Sequence, residues 1–375
     1  MQGTKLSCVE LKNQMAMPSS KESQQQEVSG ENDNETYSFA SQLVMGTFLP
    51  MALQTACELG ILEIIAKAGP GAKLSATDIA AQLPTKNQGA PIMVDRIARL
   101  LASHNVLCCT VVGLERHYSL SPVSYYFIPN EDAVSLAPVM ALNQDIVSLV
   151  IWCQLKYAVL EGGIAFNRVH GAHAFEYPGL DDRFNQVFNT AMLNLSTMFT
   201  KKLLHSYDGF HGIKQLVDVG GNLGITLHYI TSKYPNINGI NFDLPHVIQH
   251  ASSYPGIEHV AGDMFENVPQ GDAIFLKLVL HDWSDEKCLR LLKNCHKAIP
   301  NNGRVIVVDS VVPVMAESTP SAKATYLLDM LMMTQNPGGK ERTKEEFVAL
   351  ATEAGFNSVK FECFVCDCWV MEFHK

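Results

Sequence analysis

One short stretch, at positions 216–225, limits most strongly what this chain can fold into. Its residues, LVDVGGNLGI, are typical of a buried strand that ends in a glycine-rich turn and enters a helix. Glycines in such a turn let a ligand approach the backbone, and open α/β sheets bind ligands at the carboxyl ends of their strands. The spacing departs from the dinucleotide fingerprint because Asn222 stands at the third position of the loop. The stretch therefore predicts a cofactor site without naming the cofactor.

The region beyond Gly212 alternates short runs of β-forming residues with helical segments. This alternation predicts an α/β domain whose mostly parallel sheet is covered by helices on both faces. The predicted strands lie at positions 215–219, 239–242, 273–278, 304–309, 358–363 and 368–373. Because 375 residues exceed what one small core usually organises, a second domain is expected upstream.

Three aspartates follow successive predicted strands and narrow the choice of cofactor. Asp218 lies in the strand before the glycine turn, Asp243 ends the next strand, and Asp263 follows a third. Asp243 can accept the hydroxyls of an adenosine ribose, as NAD or S-adenosylmethionine would present. Asp263 suits the amino edge of adenine, with Met264 against the ring face. S-adenosylmethionine carries two positive groups and no phosphate, so acidic residues without an anion-binding arginine favour it, and an NAD-dependent oxidoreductase is the alternative.

The N-terminal part of the chain divides into a polar tail and a helical domain. Residues 1–36 are rich in Gln, Ser, Glu and Asn and lack apolar periodicity, so we predict a disordered tail. Downstream come long apolar helical faces, a capping-box-like helix start at Ser75 and Asp78, a second helix and a hairpin around Gly113. This order is typical of a winged helix. A helical stretch at 142–160 follows.

The charge balance argues against partners that carry phosphates. Lys and Arg number 28 against 38 Asp and Glu, which gives a net charge of −10. The second helix of the winged-helix outline carries Asp95, Arg96 and Arg99 without a basic cluster. Because an acidic surface repels nucleic acid and anionic lipid, we expect neither nucleic acid nor membrane as a partner. A transcriptional regulator is the disfavoured alternative.

The cysteines indicate a reducing compartment. All ten are scattered along the chain, and the sequence does not begin with a charged-then-apolar secretory signal. No apolar run approaches the roughly 20 residues of a spanning helix. The close group Cys363, Cys366 and Cys368 lacks the fourth ligand and second close pair of a zinc site. We therefore expect a cytoplasmic protein without structural disulfides or a metal.

Several motifs, in order, resemble one enzyme family. They are similar to plant small-molecule methyltransferases of the caffeic acid O-methyltransferase type, and the likeness extends from about Tyr37 to the C-terminus. The motifs lie at 216–224, 239–246, 262–265, 277–285 and 336–343. Around 311–313 and 363–373 the chain also resembles anthranilate N-methyltransferases.

This resemblance implies two domains and a cofactor. Residues 37–150 would form a winged-helix-like dimerisation domain, and residues 151–375 a Rossmann-like methyltransferase domain with a mostly parallel seven-stranded sheet. The protein would be a metal-independent homodimer that uses S-adenosylmethionine. The resemblance assigns the cofactor to Gly220, Asp243, Asp263, Met264 and Lys277. Asn222 stands where the family usually has a glycine, and this difference affects the path of the loop more than the binding of the cofactor.

The candidate base is His281, in the motif LHDWSD at 280–285. A phenol has a pKa near ~10, so a positioned histidine with a pKa of about 6.5 can assist its deprotonation. A catalytic imidazole needs an orienting partner, and the family's two glutamates correspond here to Asp309 and Glu341. Asp309 is one methylene shorter than the usual residue. A displacement of roughly 1 Å can cost about a hundredfold in rate when geometry controls the step.

The acceptor pocket inferred from the resemblance has apolar walls and two amides. Such a lining suits a flat aromatic ring with one or two polar substituents. The assigned positions are Leu142, Asn143, Phe188, Met192, Leu195, Leu331, Met332 and Asn336. Pro178 and Leu195 replace two histidines of caffeate-type enzymes, which predicts a less polar pocket and a preferred acceptor other than caffeate.

The atom that receives the methyl group stays open between oxygen and nitrogen. Retention of His281 and Glu341 favours a phenolic hydroxyl of a small phenylpropanoid-like acceptor. An arylamine already has a free lone pair, so a weakened base at Asp309 is compatible with N-methylation of anthranilate or a related alkaloid precursor. We favour oxygen and keep nitrogen as the main alternative.

Overall fold

The structure, a computed structural model, describes residues 30–375, which form one unit up to Leu49 and a second over Pro50–Lys375. Helix α1 (Gly30–Val44) makes up most of the described part of the first unit. It begins inside the stretch 1–36 that we predicted as a tail, so that stretch is helical from Gly30 onward. Residues 1–29 of the predicted tail lie outside the described residues.

Helix α2 (Phe48–Glu58) leads into the N-terminal part of the second unit. The elements that follow are α3 (Ile61–Lys67), β1 (Leu74–Ser75), α4 (Ala76–Ala80), α5 (Ala90–Ser103), β2 (Leu107–Val112) and β3 (Glu115–Leu120). The three strands form an antiparallel sheet in the order β1-β3-β2. Ser75 and Asp78 form the predicted capping box at the start of α4.

Short helices connect this part to the α/β domain. They are α6 (Ala137–Asn143), α7 (Ile146–Leu149), α8 (Leu155–Glu161), α9 (Ala165–His170) and the long α10 (Asp182–Ser206), with 3₁₀ turns at Ser124–Tyr126, Val150–Gln154 and Tyr177–Gly179. The stretch 142–160, predicted as one helical segment, is broken because Asp145 caps α7 and also pairs with Arg183. No single helix within residues 30–375 is long and apolar enough to cross a membrane, and two bent helix pairs reach that mark by length and composition only.

The α/β domain is built on seven strands in the order β6-β5-β4-β7-β8-β10-β9. Its elements are β4 (Gln215–Val219), α11 (Ile225–Lys233), β5 (Asn238–Asp243), α12 (Pro245–Ile248), β6 (Ile257–Ala261), β7 (Ala273–Lys277), 3₁₀ turn Leu280–Asp282, α13 (Asp285–Ala298), β8 (Arg304–Asp309), α14 (Pro320–Gln335), α15 (Lys344–Ala354), β9 (Ser358–Val365) and β10 (Cys368–His374). Strands β4 to β8 are parallel, and β10 pairs antiparallel with both β8 and β9. The predicted mostly parallel sheet is confirmed.

The sheet buries side chains on both faces, as the apolar central strands predict. On β7, Ile274 and Leu276 join the core formed with α13 and α15, while Ala273 and Phe275 join the core formed with α10 and α11. This alternation follows from the two-residue period of a strand. Burial of one such large apolar side chain stabilises the fold by about 1.5–3 kcal/mol. The two cores hold the strand ends, and therefore the loops after them, in fixed positions.

Candidate active site

The glycine-rich turn after β4 has the left-handed backbone that its sequence predicts. Gly220 and Gly224 have φ values of 72° and 84°, and Asn222 between them has a φ of 52°. Asparagine is one of the few residues other than glycine that adopt this region readily. Asn222 therefore retains the turn conformation that glycine would have at its position, and the loop path stays intact.

Asp243, at the end of β5, is hydrogen-bonded to the backbone of this turn. Its Oδ2 accepts a hydrogen bond from the Asn222 N–H at 2.8 Å, and its Oδ1 accepts one from the Leu244 N–H at 2.7 Å. Burial raises the pKa of Asp243, and the two N–H donors oppose that rise. A carboxylate has about four acceptor sites, so capacity remains for ribose hydroxyls beside the turn.

Two further aspartates lie along the same edge of the sheet, because β4, β5 and β6 are parallel neighbours. Asp218 is 2% exposed, and its Oδ2 has no hydrogen-bond partner. Burial raises its pKa to about 7, against the opposing charge of Lys277. Asp263 is exposed after β6 and accepts a hydrogen bond from the Phe265 N–H at 2.8 Å, while Met264 is half-buried beside it. These acidic groups suit a cationic cofactor.

Lys277 is the last residue of β7, the strand next to β4, and interacts electrostatically with Asp218 and Asp309. Its Nζ is 3.2 Å from Oγ of Ser196 on α10. Burial lowers the pKa of Lys277, and the nearby acidic groups, with Asp218 first and Asp309 after it, oppose this effect. The positive charge of Lys277 therefore interacts both with Asp218, next to the predicted cofactor site, and with Asp309, next to the predicted base.

His281 lies in the 3₁₀ turn after β7 and is 6% exposed. Its Nδ1 is 2.8 Å from Oε1 of Glu341. Because a carboxylate only accepts, we assign the ring hydrogen to Nδ1, which leaves the Nε2 lone pair free to accept a proton. The nearest carboxylate oxygen to Nε2 is that of Asp282, at 3.7 Å. The ring is thus oriented as a base would require.

Asp309 ends β8 and does not hydrogen-bond to the histidine. The distance from its Oδ1 to Nδ1 of His281 is 3.9 Å, and neither of its oxygens has a hydrogen-bond partner. We predicted that Asp309 and Glu341 both orient His281; in the structure only Glu341 makes the bond, because the aspartate side chain is too short. Burial raises the pKa of Asp309 to about 7, while the charge of His281 opposes the rise.

The charges around His281 favour its protonated form. Burial alone would lower the pKa of the ring, but the carboxylates of Asp282, Glu341 and Asp309 outweigh it and raise the pKa to about 10. We refer to these four residues as the His281 cluster. An imidazole with so high a pKa is a strong base once it is neutral.

Two residues near the base escaped the sequence analysis. Asp282 accepts a hydrogen bond from Nδ2 of Asn336 at 2.6 Å, and burial raises its pKa to about 6. Arg342 is fully buried and donates to the carbonyls of Leu280 and Trp283, both at 2.7 Å. Arg342 therefore fixes the turn that carries His281. Their places inside the motifs LHDWSD and GGKERT were the available signal.

Seven of the eight predicted pocket residues are buried or half-buried, and one is exposed. Leu142 is buried in a cluster against which Phe188 and Met192 pack. On and after α14, Met332 and Asn336 are buried, while Leu331 and, on α10, Leu195 are half-buried. The side chain of Asn143 is exposed, so the structure does not group it with the buried pocket residues. Of the predicted amides, Asn336 is buried and has a free Oδ1.

The side chains of His281, Asp309 and Glu341 place potential metal ligands within 4.8 Å of one another. Tetrahedral ligands about 2.0–2.2 Å from zinc stand roughly 3.3–3.5 Å apart. The contact of His281 with Glu341 is shorter, at 2.8 Å, and has the length of a hydrogen bond. That a metal plays no part stays a prediction.

Comparison with known proteins identifies the family. The O-methyltransferase domain matches residues 152–357, and the O-methyltransferase dimerisation domain matches residues 41–130. The chain is 55% identical over 347 residues to anthranilate N-methyltransferase of Ruta graveolens, covering 92% of this chain and 95% of that protein. It is 54% identical over 341 residues to caffeic acid 3-O-methyltransferase of Catharanthus roseus, covering 90% of this chain and 94% of the relative.

Solved structures support the same fold. Human N-acetylserotonin methyltransferase in complex with SAM (S-adenosylmethionine) matches with a TM-score of 0.74 at 23% identity, covering 91% of this chain and 97% of the other. The family models and the relatives confirm the family resemblance and, with it, the use of S-adenosylmethionine instead of NAD. The solved structure confirms the Rossmann-like fold. The dimerisation domain supports a homodimer, and the O-methyltransferase domain supports action on small molecules. The chain therefore belongs to the S-adenosylmethionine-dependent O-methyltransferase family.

Proposed function

We propose that this enzyme methylates a phenolic hydroxyl of a small aromatic acceptor, with His281 as the general base. The observation that carries the proposal is the 2.8 Å hydrogen bond from His281 Nδ1 to Glu341, which places the hydrogen of the neutral ring on Nδ1 and its lone pair on Nε2. A base must reach the acceptor proton with a free lone pair, and Nε2 is the ring atom that has one.

The acidic edge of the sheet fits the cofactor. When bound, S-adenosylmethionine would supply a methyl group activated by a positively charged sulfur, which is displaced from the methyl carbon as a neutral thioether by a lone pair of the acceptor. Asp243 would accept the ribose hydroxyls, and Asp263 would accept the adenine amino group with Met264 against the ring. Gly220 allows close approach of the backbone, and Lys277 balances the buried charge of Asp218. The unpartnered Oδ2 of Asp218 and the narrow turn above it support this placement.

The proton would move from the acceptor hydroxyl to Nε2 of His281. The carboxylates around this ring raise its pKa above that of a free histidine, which makes the neutral imidazole a stronger base toward a phenol. Glu341 stabilises the resulting imidazolium through its hydrogen bond, and Asp282 and Asp309 add charge. Asn336, with its free buried Oδ1, is placed to accept a hydrogen bond from a polar ring substituent.

N-methylation is the second candidate, and two observations favour it. Asp309 lies 3.9 Å from Nδ1 of His281 and makes no hydrogen bond to it, so the base is held by Glu341 alone. The chain is also about equally identical to an anthranilate N-methyltransferase and to a caffeic acid 3-O-methyltransferase, at 55% and 54%. Overall identity therefore does not separate nitrogen from oxygen, and the retained base and its glutamate favour oxygen.

The test is a set of matched acceptors. Phenols and anilines with the same ring substituents are incubated with the enzyme and S-adenosylmethionine, and the position of the new methyl group is located by mass spectrometry. We expect the hydroxyl of the phenols to be methylated faster. Methylation of the anilines alone would assign the second function. The pocket residues, the cytoplasmic location and the lack of nucleic-acid or membrane partners stay predictions.

A further inference from the structure

Two side chains of β5 hold opposite sides of one residue in the glycine-rich turn. Asn241 and Asp243 are two positions apart and therefore lie on the same face of the strand. Asp243 accepts a hydrogen bond from the Asn222 N–H, and Nδ2 of Asn241 donates to the Asn222 carbonyl at 2.8 Å. Asn222 is thus fixed at both of its peptide groups, in the left-handed conformation of the turn.

His259 on β6 completes this arrangement. Its Nε2 is 2.8 Å from the carbonyl of Ser252, which can only accept, so the ring hydrogen lies on Nε2. The other nitrogen, Nδ1, is then an acceptor, and Nδ2 of Asn241 lies 3.1 Å from it. Both hydrogens of the Asn241 amide are therefore used, one on the turn and one on His259. This pattern sets the orientation of the amide.

The turn also packs closely on these two side chains. A Cβ atom at Gly221 would lie 2.1 Å from Oδ1 of Asn241, and one at Gly224 would lie 3.0 Å from Cε1 of His259. Asn241 itself is fully buried, so it does not contact a cofactor. Its position, bonds and close contacts instead determine where the turn lies.

We propose that Asn241, oriented by His259, is a positioning residue that holds the glycine-rich turn in the conformation that receives S-adenosylmethionine. The inference rests on the proposed placement of the cofactor at this turn. It concerns cofactor affinity and leaves the chemistry at His281 unchanged, because the Asn241–His259 pair makes no contact with the His281 cluster.

The experiment compares cofactor affinity with turnover in Asn241→Leu. Leucine keeps the branched shape of asparagine, with bulkier methyl groups, but cannot donate to Asn222 or His259. We expect the Kd for S-adenosylhomocysteine, measured by calorimetry, to rise about tenfold or more, which is the effect of losing a buried hydrogen bond. The kcat at saturating S-adenosylmethionine should stay within about threefold of the wild type. A purely structural role would lower stability without this division between Kd and kcat.

Two further variants keep the test decisive. His259→Phe preserves a ring but removes the acceptor that orients Asn241, and we expect a smaller rise of about threefold in the same Kd. Tyr207→Phe is the control, since it removes a buried hydrogen bond to Glu372 at the opposite end of the sheet and should leave the Kd unchanged. If Asn241→Leu does not fold, His259→Phe decides. An unchanged Kd in the folded variants overturns the inference, whereas a wild-type enzyme that fails to bind S-adenosylhomocysteine overturns the cofactor placement instead.

Discussion

The nearest oxygen of Asp309 lies 3.9 Å from Nδ1 of His281, beyond the length of a hydrogen bond. Glu341, at 2.8 Å from the same atom, is the sole hydrogen-bond partner of the ring among the side chains of the His281 cluster. Asp309 therefore acts on the histidine through its charge, and Glu341 fixes the orientation of the ring. This division of roles makes the two carboxylates separable by mutation.

Asp309→Glu should strengthen the base. The added methylene extends the carboxylate by roughly 1 Å, which brings it close enough to share the Nδ1 hydrogen with Glu341. We expect kcat for phenol acceptors to rise several-fold, up to about a hundredfold, with little change for aniline acceptors. Steady-state rates with matched acceptor pairs measure the effect. An equal change for both acceptors would show that the distance does not limit proton transfer.

Asp309→Asn should shift the pH dependence of phenol methylation. The carboxylate of Asp309, with a pKa of about 7, is charged at alkaline pH and there favours the imidazolium of His281. Because its removal lowers the pKa of the ring, the acid limb of kcat/KM should move to lower pH. The full pH profile of the variant is compared with the wild type. A limb that stays in place or moves to higher pH contradicts the assignment.

The buried Asp218 should make stability depend on pH. Its pKa is raised from 3.8 to about 7 in the folded protein, so its stabilising contribution is complete below about pH 4 and is lost as the pH rises towards 7. Asp218→Asn has no carboxyl group to ionise at this position, so its free energy of unfolding should not show this loss. From pH 4 to pH 8 its free energy of unfolding relative to that of the wild type should therefore rise by up to about 4 kcal/mol. Chemical unfolding at several pH values tests this. Parallel curves for the two proteins would contradict it.

Metal removal should leave the activity intact. The short contact of His281 with Glu341 has hydrogen-bond geometry, and base catalysis by the histidine needs its nitrogen unligated. We expect EDTA treatment, followed by metal analysis, to change the methylation rate by less than about twofold. A loss of activity that zinc or another divalent ion restores would assign the three potential ligands to a metal centre.

The fold and the acidic edge of the sheet were predictable because they depend on local patterns. Short runs of β-forming residues define β4, β5, β7 and β8, while β6 was expected before Asp263 without a range. An aspartate at a strand end needs no knowledge of distant contacts. Asn222 illustrates the limit: its departure from glycine was visible, but its left-handed backbone and its bond to Asn241 depend on contact between separate strands. Likewise, the capping of α7 by Asp145, which breaks the predicted helix, is a local signal strengthened by the distant Arg183.

The grouping of His281, Asp309 and Glu341 was predictable, and its geometry was not. His281, Asp309 and Glu341 lie in a 3₁₀ turn, at the end of strand β8 and in the loop after α14, and motif similarity alone associated them. The 3.9 Å separation depends on where β8 ends relative to the turn at Leu280–Asp282, which no local pattern determines. Arg342 and Asp282 were missed because their partners, a carbonyl and an amide, come from different segments.

His281→Ala tests the central claim most directly. The measurement is the rate of phenol methylation at saturating S-adenosylmethionine, made alongside the calorimetric affinity for S-adenosylhomocysteine. The account predicts a fall in kcat of about a hundredfold or more, the range of general base catalysis, with cofactor affinity unchanged. Undiminished turnover in a folded variant that still binds the cofactor would contradict the role of His281 as the base.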